Sequence, residues 1–298
     1  MTDRKTHLDA LAVILLVSCC FLWGLNQVAA KAAMPEIAPL WQAAARSAGG
    51  AALVWLWSRF RGITMFARDA TWRGGLLAGA LFGAEFLCIF VGLQFTTASR
   101  MVVFIYISPF VVALGMPFIT RAERLSRPQM AGLLLAFAGV AWAFAEGFTA
   151  PAAGPHQLLG DALGVLAGIL WGATTLAIRG SALSSASAEK TLWYQLAISG
   201  VLLTGAALAV GAPLPAAATL SALTWSSMLF QVVIVTFASY LVWFWLIRHY
   251  PATRLASFTL LTPVFGLVLG ALLLHEPITT RLVVALLAVA AGIVLVNR

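Results

Sequence analysis

Two charged residues, Arg46 and Glu85, lie within apolar stretches of the sequence and are its sharpest candidates for chemistry. A guanidinium group binds a carboxylate, and a carboxylate binds an ammonium group, so the two together could recognise a zwitterion. If the apolar stretches are membrane-spanning helices, Arg46 lies about 12 Å below one surface and Glu85 about 16 Å above the other. In a hydrocarbon core about 30 Å thick, these depths differ by only about 2 Å. Both side chains are therefore predicted to face protein or water near mid-membrane.

Three interpretations of this pair are open from the sequence. In the first, the two side chains pair with each other; in the second, they contact the carboxylate and the amine of a substrate. In the third, Arg46 extends towards the membrane surface while Glu85 titrates or caps a neighbouring group. Gln42, Arg46, Gly49 and Gly50 share one helix face, which predicts that this face is interior.

Further polar and aromatic residues of the apolar stretches are candidates for the walls of a central cavity. The polar candidates include Asn26, which shares a helix face with Ser18. Aromatic residues of such stretches mostly pack between helices or face lipid, but a few are expected to form walls that suit flat, apolar ligands. The residues expected to line the cavity are Asn26, Gln195, Gln231, Tyr106, Trp171 and Tyr240.

Pro109 and Pro263 each follow a hydroxyl residue in the middle of an apolar stretch. Proline removes one backbone hydrogen bond and bends a helix, and the hydroxyl of Ser108 or Thr262 can compensate locally. Prolines are ordinary in transmembrane helices. Their matched position in the two halves of the chain nevertheless predicts two hinges.

The motifs of catalysis and cofactor binding are absent from the sequence. It contains no P-loop, no HExxH and no GxSxG, so ATP hydrolysis and the corresponding hydrolytic chemistries are not indicated. Cys19, Cys20 and Cys88 lie in apolar stretches and have no CxxC or Cys/His metal spacing. We therefore expect no catalytic residue, no metal site and no cofactor.

Composition sets the class of the protein. The chain of 298 residues is 62% hydrophobic and only 9% charged, with a mean hydropathy of +0.97. Soluble domains carry roughly a quarter charged residues, so an all-α integral membrane protein is predicted. The net charge of +8 sits at the ends of apolar stretches rather than in one patch, and no nucleic-acid partner is expected.

Ten membrane-spanning helices are predicted. They lie near 10–30, 38–58, 74–94, 99–119, 128–146, 160–179, 190–211, 223–247, 253–274 and 279–297. With the N terminus placed in the cytoplasm, fourteen Lys and Arg residues fall on the cytoplasmic side. Only Lys31, Arg100 and Arg281 fall on the outer side. This asymmetry predicts that both termini are cytoplasmic.

The two halves of the chain carry the same series of motifs. Those of the first half are Leu22-Trp23-Gly24, Ala98-Ser99-Arg100, Ser108-Pro109, Glu123-x-x-Ser126 and Ala138-Gly139. Those of the second half are Leu170-Trp171-Gly172, Ala252-Thr253-Arg254, Thr262-Pro263, Glu276-x-x-Thr279 and Ala291-Gly292. We predict two five-helix repeats, 1–147 and 160–298. Because five is odd, the second is inverted relative to the first. The two repeats differ at two positions: Glu85 corresponds to Ser239, and Arg46 corresponds to Gln195.

These motifs resemble the EamA repeat of the drug/metabolite transporter superfamily over nearly the whole chain. Within that superfamily, the length and aromatic content are most similar to the YddG-type bacterial exporters of aromatic amino acids. The resemblance implies ten transmembrane helices around a central cavity, and efflux across the bacterial inner membrane.

The expected function is export of small amphipathic metabolites, first of all aromatic or apolar amino acids, by alternating access without ATP. Export of nucleosides, drugs or sugar-linked metabolites by the same fold is the alternative. A membrane-embedded enzyme or sensor is a minor one. The expected partners are an amino acid-like small molecule and the lipid bilayer, and we expect a monomer.

Overall fold

A computed structural model of the chain describes residues 9–66, 69–119, 126–149, 153–250, 259 and 261–296. Within these ranges the regular structure is entirely helical, as predicted. Side-chain caps start several helices. For example, Asp9 accepts a hydrogen bond from the backbone N–H of Ala12, and Thr97 accepts one from that of Arg100. The apolar stretches between the caps then continue as helices.

The helices of the first half lie within a few residues of the predicted spans. They are α1 (Ala10–Ala33), α2 (Pro39–Phe60), α3 (Thr71–Gly92), α4 (Ala98–Ile105), α5 (Ser108–Ile119) and α6 (Arg127–Thr149). The predicted span 99–119 is thus two helices separated by a turn at Tyr106 and Ile107. Both turn residues donate to carbonyls three residues earlier.

The second half follows the same plan. Its helices are α7 (Gln157–Arg179), α8 (Ala188–Ala209), α9 (Ala222–Leu229), α10 (Tyr240–His249), α11 (Leu261–Leu274) and α12 (Thr280–Val296). A π-helical segment, Phe230–Ser239, joins α9 to α10. Of the predicted span 253–274, only 259 and 261–274 belong to the described residues, and motif residues 252–254 and Glu123 lie outside them.

Within the residues that the structure describes, six helical stretches are long and apolar enough to cross a membrane. They are Ala10–Ala33, Thr71–Gly92, Ala98–Ile119, Gln157–Arg179, Ala188–Ala209 and Ala222–Leu246. Three shorter apolar helices, Met130–Ala143, Leu261–Leu274 and Thr280–Gly292, accompany them. A count of ten spans stays a prediction.

Helices of the two halves pack mainly against each other. The principal pairs are α6 with α12, α2 with α8, α3 with α7 and with α8, α1 with α11, and α5 with α7. Glycines permit the closest approaches between these helices. A Cβ on Gly79 would lie 2.7 Å from the carbonyl oxygen of Tyr194, and one on Gly168 would lie 2.7 Å from that of Ile105.

Both prolines of the repeat lie in the first turn of a helix. Pro109 is the second residue of α5 and Pro263 is the third of α11. A helix's first N–H groups have no intrahelical acceptor, so proline removes no helical hydrogen bond there. In the first half, the mid-span position of Pro109 therefore coincides with an interruption of the helix. The hinge role of both prolines stays a prediction.

Candidate functional site

Arg46 is buried near the middle of α2 with no hydrogen-bonding partner. Its side chain is 0% exposed, and Nε, Nη1 and Nη2 all lack an acceptor. The guanidinium carbon lies 4.1 Å from the ring centroid of Phe86 on α3, so a cation–π contact is its main interaction. The guanidinium therefore lies inside the protein, and the role of Arg46 stays a prediction.

Glu85 approaches Arg46 from α3 without pairing with it. The residue is 5% exposed and its Oε2 atom has no hydrogen-bonding partner. Both residues are described, yet no ion pair within 4.0 Å joins them. Tyr240, at the start of α10, lies close to both: its hydroxyl approaches the Arg46 guanidinium, and it interacts electrostatically with Glu85. The structure thus brings three predicted residues together and leaves the guanidinium of Arg46 without a carboxylate partner.

Gln42 connects this group to the second half of the protein. It lies one turn before Arg46 on α2, and its Oε1 accepts a hydrogen bond of 3.1 Å from Nε2 of Gln231. The Nε2 atom of Gln42 and the Oε1 atom of Gln231 are buried and unpaired. We call Gln42, Arg46, Glu85, Gln231 and Tyr240 the Arg46 cluster.

The other predicted wall residues lie apart from the Arg46 cluster. Tyr106 and Trp171 contact each other edge to face, with ring centroids 5.8 Å apart. Tyr240 has its own aromatic neighbour in Trp23, at 6.5 Å. Asn26 is buried on α1, and its Oδ1 atom is unpaired. Within the described ranges, no hydrogen bond or ring contact joins Tyr106, Trp171 or Asn26 to the cluster.

A second set of buried charges lies at one end of the molecule, and here the charges are paired. Arg100 on α4 forms a bidentate ion pair with Asp161 on α7, with N–O distances of 3.0 Å for Nε–Oδ1 and 2.7 Å for Nη2–Oδ2. Arg100 also donates to the Ala143 carbonyl of α6, and Thr96 donates to Asp161. Arg100 is 2% exposed. The sequence placed it among the charges at span ends, because its partner on another helix was not recognised.

Glu276 links the loop after α11 to the start of α4. Its carboxylate accepts hydrogen bonds from the backbone N–H groups of Ala98, at 2.7 Å, and Ser99, at 2.9 Å. The Ser99 hydroxyl adds a third, and Lys31 lies 3.8 Å away while donating to the Thr96 carbonyl. A carboxylate at a helix N-terminus satisfies free N–H groups and complements the helix dipole. We call Lys31, Thr96, Arg100, Asp161 and Glu276 the Arg100 cluster.

The sequence contained a signal for the Arg100 cluster. Ala98-Ser99-Arg100 and Glu276 belong to motifs that recur in both halves, and the structure shows a member of one motif bound to a member of the other. The repeated motifs identify these residues, but they do not predict that the residues contact each other.

An ion pair at the opposite end of α3 is partly exposed. Lys190, in the first turn of α8, is buried and donates to Oδ2 of Asp69 at 2.6 Å, whereas the Asp69 side chain is 39% exposed. Hydrogen bonds from Lys190 and from Thr71 lower the pKa of Asp69 from 3.8 to about 2. This pair also joins the two halves.

The apolar helices and the buried charged clusters together define a multi-pass membrane transport protein. The chain belongs to the EamA-like transporter family, whose model matches residues 10–145 and 158–298. The membership predicted from the repeated motifs, in the drug/metabolite transporter superfamily, is confirmed.

Named relatives agree with this assignment. The "Uncharacterized transporter YvbV" of Bacillus subtilis (strain 168) is 28% identical over 294 residues, which cover 95% of this chain and 90% of that protein. A "Probable amino-acid metabolite efflux pump" of Escherichia coli (strain K12) is 25% identical, over 93% of this chain and 89% of that one. A crystal structure with 17% identity shares the fold, with a TM-score of 0.67 over 95% of this chain and 94% of that one.

Proposed function

We propose that this transporter exports small amphipathic metabolites, first of all aromatic and apolar amino acids, across the bacterial inner membrane by alternating access without ATP. The observation that carries the proposal is Arg46, which is fully buried at mid-helix with all three guanidinium nitrogens unpaired. A buried, uncompensated charge costs several kcal/mol. A substrate carboxylate would offset that cost through charge-assisted hydrogen bonds.

The rest of the Arg46 cluster favours a zwitterion over the other cargo classes. Glu85 has a free carboxylate oxygen that would accept from an ammonium group. Nucleosides and cationic drugs bring no carboxylate for Arg46. The name of the Escherichia coli relative, "Probable amino-acid metabolite efflux pump", also favours an amino acid as the substrate.

The packing of the helices supports two inverted repeats. A two-fold axis between the halves would pair α2 with α8 and α6 with α12. It would also make the contact of α3 with α7 equivalent to the contact of α1 with the π-helical segment. All of these contacts occur. By the loop charges, the Arg100 cluster lies on the outer side, so we assign it as the closed outer gate. Opening that gate would separate Glu276 from α4, with Pro109 and Pro263 as the proposed hinges.

The function is tested by uptake of radiolabelled phenylalanine into liposomes that contain the purified protein. Wild-type protein should exceed empty vesicles, and Arg46→Ala should abolish the signal because it removes the carboxylate contact. No uptake by folded wild-type protein would exclude the amino-acid assignment, and unchanged uptake by Arg46→Ala would remove Arg46 from the site. Uptake that responds to an imposed pH gradient in the wild type but not in Glu85→Gln would indicate proton coupling.

The gate is tested by labelling from the outside. In a protein that lacks Cys19, Cys20 and Cys88, a Gln27→Cys substitution reports on access past Lys31, because position 27 is buried one turn deeper on α1. An impermeant maleimide should label this cysteine faster when Glu276→Gln is added. Equal rates would refute the assignment of Glu276 to an outer gate.

A further inference from the structure

We propose that Gln42 and Gln231 form a polar subsite that recognises a hydroxyl or carboxamide group on the substrate side chain. The protein would then prefer tyrosine to phenylalanine. This inference rests on the proposed function and specifies it, because it assigns a separate task to the part of the Arg46 cluster that lies one turn from the arginine.

The subsite is built from both halves of the protein and is completely buried. Gln42 comes from α2 and Gln231 from the π-helical segment, and both are 0% exposed. Nε2 of Gln231 donates to Oε1 of Gln42 and to Oγ of Ser227, each at 3.1 Å. Both hydrogens of that amide nitrogen are therefore used.

A chain of hydrogen bonds fixes the orientation of the two amides. The Ser227 hydroxyl donates its single hydrogen to the Ala29 carbonyl at 2.7 Å, so it can only accept from Gln231. The nitrogen of Gln231 must then face Ser227 and also Gln42, which presents its oxygen. What stays unpaired is one donor group, Nε2 of Gln42, and one acceptor, Oε1 of Gln231.

This combination of free groups selects the chemistry of the ligand. An ammonium group only donates and a carboxylate only accepts, whereas a hydroxyl or a carboxamide does both. Gln42 and Arg46 are four residues apart, so their Cα atoms are about 6 Å apart along one face of α2. A tyrosine whose carboxylate is bound at Arg46 would place its phenolic hydroxyl at the two amides. The ring hydrogen of phenylalanine would leave both amides unpaired.

The first test needs only the wild-type protein in liposomes. Unlabelled tyrosine should compete with radiolabelled phenylalanine at a concentration about tenfold lower than unlabelled phenylalanine does. Equal competition by the two amino acids overturns the subsite while leaving amino-acid transport intact. No uptake of labelled phenylalanine overturns the subsite together with the proposed function.

The second test assigns the preference to Gln231. Gln231→Leu should reduce the tyrosine-to-phenylalanine ratio towards one, because it removes the free acceptor. Gln231→Glu should also reduce it, because a carboxylate cannot donate to Oε1 of Gln42, and the Gln42 amide would turn its free donor towards that carboxylate. Gln94→Leu makes the same change at an exposed turn, where the amide bonds only to the Val91 carbonyl, and should keep the wild-type ratio. The assignment is refuted if both Gln231 variants keep the wild-type tyrosine-to-phenylalanine ratio, or if Gln94→Leu reduces that ratio towards one.

Discussion

The Arg46 and Arg100 clusters each contain a buried arginine, and the two arginines differ in whether the protein pairs them. Arg100 has Asp161 and the Ala143 carbonyl around its guanidinium, whereas Arg46 has no acceptor at any nitrogen. Both lost their hydration on burial. In the Arg100 cluster the protein itself compensates for that loss, so the arginine stabilises the fold. In the Arg46 cluster, we propose that a substrate carboxylate supplies this compensation.

Arg100→Met is expected to have the largest effect on stability. It keeps the bulk of the side chain but leaves Asp161 buried without its ion-pair partner, so the free energy of unfolding should fall by about 3–5 kcal/mol. Equilibrium unfolding in detergent micelles measures this. Adding Asp161→Leu should recover much of the loss, because the orphaned carboxylate disappears with it. An Arg100→Met protein as stable as wild type would erase the distinction between the clusters.

Arg46→Met makes the same substitution in the other cluster. It should reduce transport strongly and leave the stability of the protein largely unchanged. The free energy of unfolding should stay constant or rise, since an unpaired buried charge is replaced by an apolar side chain. Phenylalanine uptake should fall about 10- to 150-fold, because a charge-assisted contact with the substrate is lost. Both are measured on the same liposome and micelle preparations. Loss of stability comparable to that of Arg100→Met would show that Arg46 is structural.

The sequence revealed these two arginines to very different degrees. Arg46 could be recognised because a charge inside an apolar stretch is conspicuous whatever it contacts. Arg100 stands at the end of a span, where charges are usually solvated, and its partner Asp161 is on a helix of the other half. A single sequence gives depth along a helix but not which distant helix lies opposite.

Local sequence patterns predicted the helix boundaries, but they did not predict the π-helical segment or the position of the break before α5. The lengths of the apolar stretches predicted the ends of most helices to within a few residues. The π-helical segment depends on tertiary packing, since Val232 and Thr236 lie directly against Gly49 and Gly50 of α2. The break before α5 could be suspected from Pro109, but its position at Tyr106 and Ile107 could not.

Glu276→Gln is expected to have a moderate effect within the Arg100 cluster. The amide oxygen can still accept from the N–H groups of Ala98 and Ser99, but the negative charge at the start of α4 and beside Lys31 is lost. The free energy of unfolding should fall by about 1 kcal/mol. Equilibrium unfolding with Glu276→Ala as the harsher comparison checks this, because alanine also removes the acceptor. A larger loss in the glutamine variant than in alanine would contradict the capping role.

The partly exposed pair Asp69–Lys190 should show the smallest effect, because the Asp69 carboxylate is 39% exposed and solvent screens its charge, unlike the buried charges of the Arg100 cluster. Asn at position 69 can still accept from the Thr71 backbone N–H, which Asp69 binds at 3.0 Å, so Asp69→Asn removes the charge alone. The pKa of Asp69 is lowered from 3.8 to about 2, so its stabilising contribution is complete above the unfolded-state value and is lost as pH falls towards the folded-state value. The melting temperature of wild-type protein should therefore exceed that of Asp69→Asn slightly at pH 6. The difference should vanish by about pH 2 and shrink in high salt. If the difference in melting temperature grew on acidification, the protonated form of Asp69 would be the one that stabilises the fold. That result would contradict the ion pair with Lys190.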